Sequence, residues 1–147
     1  NGFSLIQSLF TDDEYECHEP RLGSSLADAL LEPHHCYLDD MRHLIGTGAV
    51  HGLAHITGGG IAGNLTRIIP AGLEAVVELP PTPAIFQLLQ ARGVSIDEMR
   101  RVFNMGVGMI AVCDRRILSS PRASYQMIGS VRPTNDTQRR VRFDDRP

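Results

Sequence analysis

The stretch HGLAHITGGGIAGNLTRIIP, residues 51–70, decides the fold. From Val50 to Thr57, the apolar residues Val50, Leu53 and Ile56 stand among small ones in a run too short for a good helix, which predicts a strand. Beyond Gly58, Gly59 and Gly60, the residues Ile61, Leu65, Ile68 and Ile69 recur at helical spacing until Pro70, which predicts a helix. Three glycines in a row remove every Cβ, so the backbone can take positive φ and turn its N–H groups toward one point. A helix starting there adds unpaired N–H groups and its positive dipole end, which together favour phosphate, and Thr57 adds a hydroxyl. The alternative is a tight strand-to-helix turn with no ligand, since the pattern is neither GxGxxG nor a Walker loop.

His51 and His55 raise a metal reading. On a strand, residues four apart share a face but lie about 13 Å apart, too far to ligate one ion. No third carboxylate or thiol stands at a convincing spacing, so no metal site is expected, and a hydrogen-bonded or catalytic histidine is the better reading. The same holds for His34, His35 and Cys36.

Outward from this segment, helical spacing predicts helices over 3–10, from Ser24 or Ser25 to Leu31, over 37–45, over 84–91 and over 95–103. Residues 11–24 are polar and broken by Pro20 and Gly23. Strands are predicted over 73–79 and 106–112, and residues 126–131 and 139–143 are expected to pair across a turn at 133–136, with the arginine-rich end at a sheet edge. Strands alternating with helices, and a hairpin at the end, give an α+β fold: a mixed sheet with helices packed mainly on one face.

The 147 residues suffice for one domain, 1–147, with one core. A net charge of -3 argues against a nucleic-acid polymer as partner. All 14 Lys+Arg are arginine, which excludes a lysine nucleophile, a Schiff base and a P-loop lysine. Cys17, Cys36 and Cys113 are odd in number and lack CxxC spacing, so a reducing, cytoplasmic setting is expected. No apolar run approaches the roughly 20 residues of a membrane helix, so no membrane partner is expected. Asn1 opens directly into an amphipathic pattern without a starting methionine, and the chain is read as a fragment or processed piece. The acidic pairs Asp12-Asp13, Asp39-Asp40 and Asp144-Asp145 read as solvated faces or caps. In FNMGVGM, residues 103–109, two glycines permit close backbone approach at the start of a strand, and Asn104 can orient a polar neighbour.

In order along the chain, NGFSLI, LADALLEP, HGLAHITGGGIAGNLTRIIP, FNMGVGMIAV and IGSV resemble the C-terminal half of aminoimidazole ribonucleotide synthetase, the phosphoribosylformylglycinamidine cyclo-ligase family. The resemblance implies ATP-dependent ring closure in de novo purine biosynthesis: the formyl amide oxygen of formylglycinamidine ribonucleotide is phosphorylated, the amidine nitrogen attacks, and phosphate leaves. It implies an N-terminal half, absent from these residues, that carries most of the ATP and magnesium site. No cofactor is then expected in this domain alone, which would be inactive by itself. It places Asn1 and His55 toward the shared cleft with His55 catalytic, makes Thr57, Gly58, Gly59 and Gly60 the anion-binding turn, and puts Asn64 and Arg67 on the following helix. The implied partners are the N-terminal half, a phosphorylated ribonucleotide and a second copy of the chain. A surface normally covered by the missing half also leads one to expect association.

Three departures stand out. His34 and His35 occupy the positions where the family pattern has threonine and arginine, and a guanidinium keeps its charge and forks onto phosphate where an imidazole does neither at neutral pH. The segment from Val112 to Gln126 is shorter than the family's, and ELPPTPAIF lacks its tryptophan. Two alternatives follow: another ATP-dependent synthetase of the same superfamily, or a non-catalytic binding or assembly module that keeps the scaffold.

Overall fold

A computed structural model describes residues 1–119, 125–136 and 140–144 of the chain. In chain order the elements are α1 (Phe3–Leu9), α2 (Asp12–Glu16), β1 (His18–Glu19), β2 (Ser24–Ser25), α3 (Leu26–Leu31), α4 (Leu38–Gly46), β3 (Val50–His55), α5 (Gly60–Leu65), β4 (Leu73–Val77), α6 (Ala84–Ala91), α7 (Ile96–Val102), β5 (Met109–Cys113), β6 (Gly129–Pro133) and β7 (Val141–Phe143). The class is α+β, as the residue pattern predicts.

Local chemistry fixes most boundaries. The Ser25 and Ser95 hydroxyls cap α3 and α7 by accepting from the Asp28 and Glu98 N–H groups. The polar stretch after α1 holds a helix that hydrophobic periodicity misses, α2. Its Thr11 N–H donates to the Glu14 carboxylate at 2.8 Å, and Thr-x-x-Glu at 11–14 is a start signal independent of apolar spacing. The helix predicted over 61–69 stops at Leu65 and continues as tighter turns, in which the Arg67 and Ile68 N–H groups donate three residues back, to Asn64 and Leu65.

Among the described residues the strands divide among three small sheets. β1 and β2 make a two-residue antiparallel pair. β3 and β5 pair antiparallel from Val50 opposite Cys113 to His55 opposite Met109, and the Ile56 N–H extends the ladder by donating to the Gly108 carbonyl at 2.9 Å. The third sheet is mixed, in the order β6-β4-β7, with β4 antiparallel to β6 and parallel to β7. The hairpin expected between 126–131 and 139–143 is therefore replaced by two strands that flank β4, of which the arginine-bearing β7 lies at an edge; residues 137–139 lie outside the described set. The cause is β4 itself. Ala75 and Val77 are buried, and Glu74, 9% exposed, accepts from Arg132 on β6 at 2.8 Å and faces Arg142 on β7 at 3.9 Å. An apolar strand that carries one buried carboxylate near its start draws an arginine strand to each side.

α5 lies against β3 and β7 on one side and α7 on the other. Ile61, Leu65 and Ile69 from this region join Ala54, Ile56, Ala75, Val77, Ile110 and Val141 in the main core. Ile6, Leu89, Met99, Phe103 and Met105 form a second core that unites α1, α6 and α7. Fully burying a side chain of this size stabilises by about 1.5–3 kcal/mol, so the strand-turn-helix at 50–65 is held from both directions. Among the described residues, no helix is long and apolar enough to cross a membrane.

Candidate functional site

The glycines leave β3 through a tight turn in which the Gly60 N–H donates to the Thr57 carbonyl at 3.1 Å. Gly59 has φ 94° and ψ 0°, and Gly60 has φ 62°, both in the left-handed region. The three positions differ in what they require. At Gly60 a Cβ would collide with the Arg100 carbonyl oxygen and stand 3.1 Å from that of Phe103, because α5 starts against the end of α7. Gly59 is needed for its φ. Gly58 is not in the left-handed region, and a Cβ there would meet nothing within 4 Å. Nothing in the fold demands a glycine at 58.

Asn64, 4% exposed, locks the turn from inside. Its Nδ2 donates to the carbonyls of Thr57 at 3.3 Å, Gly58 at 3.2 Å and Gly60 at 2.8 Å. With these carbonyls directed inward, the N–H groups of Gly58, Gly59, Ile61 and Ala62 have no backbone acceptor among the described residues. Gly58 and Gly59 are exposed, so their N–H groups are open to an anion.

Beside this turn the chain gathers four rings. His55 ends β3, exposed, and its side chain has no hydrogen-bond or ion-pair partner among the described residues. The His34 ring meets it edge to face, with centroids 5.8 Å apart, and Tyr37 is edge-on to His55 at 6.5 Å and to His34 at 5.6 Å. His35 lies 4.8 Å from Tyr37 and 3.5 Å from the Asp40 carboxylate. The Tyr37 hydroxyl seats on Gly108, where a Cβ would stand 2.7 Å from the ring carbon that bears it. The FNMGVGM turn makes this seat. Asn104 Oδ1 accepts from the Gly106 N–H at 2.9 Å, Met105 and Gly106 take positive φ, and Gly108 follows with its Cα bare to the ring.

His51 and His55 diverge. His51 Nε2 donates to Asp114 at 2.9 Å; that bond, with the charges of His51 and Arg116, holds Asp114 below the usual carboxylate range. No group of three or more His, Cys, Asp or Glu among the described residues is placed to hold a metal ion. Asn1 donates its side-chain N–H to the Val102 carbonyl at 2.9 Å, so it lies on the same end of α7 that receives Gly60. Arg67 is exposed and makes no ion pair among the described residues. Cys113 is partly buried, and burial pushes its thiol pKa up, away from a reactive thiolate.

The structure thus brings Thr57 to Gly60, Asn64 and His55 together and sets Asn1 at the α7 end of the same region. What the residue pattern did not show is that His34 and Tyr37 meet His55, with His35 packed on Tyr37. The segment 34–37 has neither helical nor strand period, and its contacts to β3 and to the approach of β5 are long-range.

The profile of the family described as "AIR synthase related protein, C-terminal domain" matches residues 1–118. Over 115 residues the chain is 43% identical to the phosphoribosylformylglycinamidine cyclo-ligase of Desulfitobacterium hafniense (strain DSM 10664 / DCB-2), covering 76% of this chain and 34% of that protein. It is 36% identical over 151 aligned positions to that of Coxiella burnetii (strain RSA 331 / Henzerling II), covering 96% of this chain and 43% of the relative. A third relative, the cyclo-ligase of Anaeromyxobacter dehalogenans (strain 2CP-C), is 46% identical over 117 residues. The chain spans between 34% and 43% of the length of the first two. A glycine turn locked from within, the FNMGVGM seat and a profile match over most of the sequence lead to one conclusion: the chain belongs to the C-terminal domain family of AIR-synthase-related proteins.

Proposed function

We propose that this chain is the substrate-side, C-terminal domain of an ATP-dependent cyclo-ligase that converts formylglycinamidine ribonucleotide to aminoimidazole ribonucleotide in purine biosynthesis. The observation that carries this reading is the pairing of an unpartnered, exposed His55 with a turn whose open N–H groups begin three residues later. In the proposal the Thr57–Gly60 turn holds phosphate oxygens, and Thr57 adds its hydroxyl. Asn64 keeps the turn in shape, and Asn1 completes the wall at the end of α7. His55 acts as general base. As the amidine nitrogen bonds to the activated carbon and the bond to the phosphate oxygen breaks, its imidazole takes the proton that this nitrogen loses.

ATP with magnesium supplies the phosphoryl group in this proposal. The family resemblance assigns that site to an N-terminal half, and no step here is drawn through it. Exposed Phe3 and Leu38, 51% and 52% accessible, are candidates for contact with that half or with a second copy of the chain.

Turnover of formylglycinamidine ribonucleotide, measured with a supplied N-terminal half, tests the reading. His55→Gln is expected to lower kcat by about 10²–10⁴-fold with the fold intact. Unchanged turnover in that variant would refute the catalytic assignment. One observation favours the non-catalytic reading: His34 and His35 stand where the family pattern has threonine and arginine. That alternative predicts no turnover and no ligand response at Gly58 and Gly59 even with the other half present.

A further inference from the structure

We infer that Gly2 and Phe103 are positioning residues of the glycine turn: neither touches an anion, and together they set where the turn stands against α7. The inference rests on the reading of that turn as a phosphate holder and adds the packing that aims it. The last carbonyls of a helix have no donor within it, and two segments remote from each other in the chain dock on those of α7. Asn1 gives its side-chain N–H to the Val102 carbonyl at 2.9 Å. Gly60 seats against the Arg100 and Phe103 carbonyls, the latter 3.1 Å from where its Cβ would stand.

Phe103 joins the two. Its carbonyl faces Gly60, and its ring lies against the bare Cα of Gly2, where a Cβ would stand 2.8 Å from Cδ1 and 2.9 Å from Cζ, with Cε1 nearer still. Gly2 caps α1 with φ 80° and ψ 8°, and its carbonyl accepts from the Ile6 N–H at 3.1 Å, so the ring fixes the first turn of α1. The ring itself has little room to retreat. Phe86 packs on it with centroids 5.5 Å apart, and Leu89 and Met99 of the same core are fully buried. A close-packed interior passes a displacement on instead of absorbing it, so a shift at Gly2 reaches the Phe103 backbone and the seat on which Gly60 rests. Asn64 ties the Gly58 and Gly60 carbonyls to one amide, which makes the turn move as a unit and carries the shift to the open N–H groups of Gly58 and Gly59.

The test is an NMR titration of the chain with sulfate, read at the Gly58 and Gly59 amides. Gly2→Ala overfills the contact and Phe103→Leu underfills it, and each is expected to weaken sulfate binding by roughly 2- to 30-fold. In the double variant the new methyl group enters the space the ring vacates, so affinity should return to within about twofold of the unmodified chain. Gly72→Ala is the control: Gly72 has the same φ of 80°, and a Cβ there meets nothing within 4 Å, so it carries the backbone strain without the ring contact and should leave affinity unaltered. Amide spectra check each fold, and if Gly2→Ala alone does not fold, Phe103→Leu and the double variant carry the comparison. Affinity unaltered in the single variants, losses that add in the double variant, or an equal loss in Gly72→Ala overturns the inference. If the unmodified chain shows no sulfate response at Gly58 and Gly59, the phosphate turn falls and the positioning role falls with it. Sulfate binding that is indifferent to residues 2 and 103 removes the positioning role alone.

Discussion

Alanine at each glycine of the turn separates three physical roles that one sequence motif conceals. At Gly60, alanine must hold φ 62°, which costs a residue with a Cβ about 1–2 kcal/mol. Its methyl group must also displace the Arg100 carbonyl, a backbone atom near the end of α7, and overpacking of this kind costs about 1–3 kcal/mol more. The sum is about 2–5 kcal/mol. For a domain of this size, each kcal/mol lowers Tm by about 2–4 °C, so the shift is roughly 4–20 °C. Gly59→Ala bears only the conformational part, about 1–2 kcal/mol, because its Cβ would meet a single carbon, at 3.9 Å. Gly58→Ala bears neither and should change stability by less than about 1 kcal/mol, in the stabilising direction, by restricting the unfolded chain. Thermal and urea unfolding of the three variants gives the order directly. If Gly60→Ala is as stable as Gly58→Ala, the close seating of α5 on α7 is wrong. Anion binding reads the other half: Gly58→Ala should weaken sulfate binding while the fold is unharmed, since its new methyl group occupies open space beside the free N–H groups.

Asn64→Ala leaves the Thr57, Gly58 and Gly60 carbonyls without their shared donor and should cost about 1–3 kcal/mol in urea unfolding; a loss below about 0.5 kcal/mol would contradict the inward lock. Gly108→Ala should expel the Tyr37 hydroxyl from its seat and separate the four rings, seen as changed His34 and His55 ring shifts at fixed pH; unchanged shifts would mean the seat does not order the cluster. Glu14 is held at about 2 by the Thr11 backbone N–H and by Arg92. Its folded pKa lies below the unfolded value of 4.5, so its contribution is present above pH 4.5 and lost as pH falls toward 2. Urea midpoints at pH 5 and pH 3 should therefore converge in Glu14→Gln relative to the unmodified chain, and equal slopes would count against the pairing.

The fold was largely legible because most of its elements carry their own signals. α6 lies at Ala84–Ala91, where apolar spacing and flanking prolines place it, and α3 and α7 begin where serines cap them. α2 was missed because its signal is a Thr-x-x-Glu cap and its exposed polar residues have no apolar period. The terminal hairpin failed for a different reason. Local turn chemistry favoured pairing of 126–131 with 139–143, whereas β4 offered both strands a buried apolar partner and a carboxylate for Arg132 and Arg142.

The sequence by itself determined the α+β class and the strand-turn-helix around the three glycines, because these depend on short-range spacing and on what a chain without Cβ atoms can do, whereas Asn64 and the orientation of His55 toward a cleft were read from the family resemblance. The tertiary structure decided which glycine serves the turn, which serves packing and which leaves open space, since that depends on Arg100 and Phe103, far away in the chain. It also decided that His34 and Tyr37 meet His55 over Gly108, while His51 turns away to Asp114. Such contacts join segments whose local patterns are silent about each other; only packing of the whole core brings them within reach.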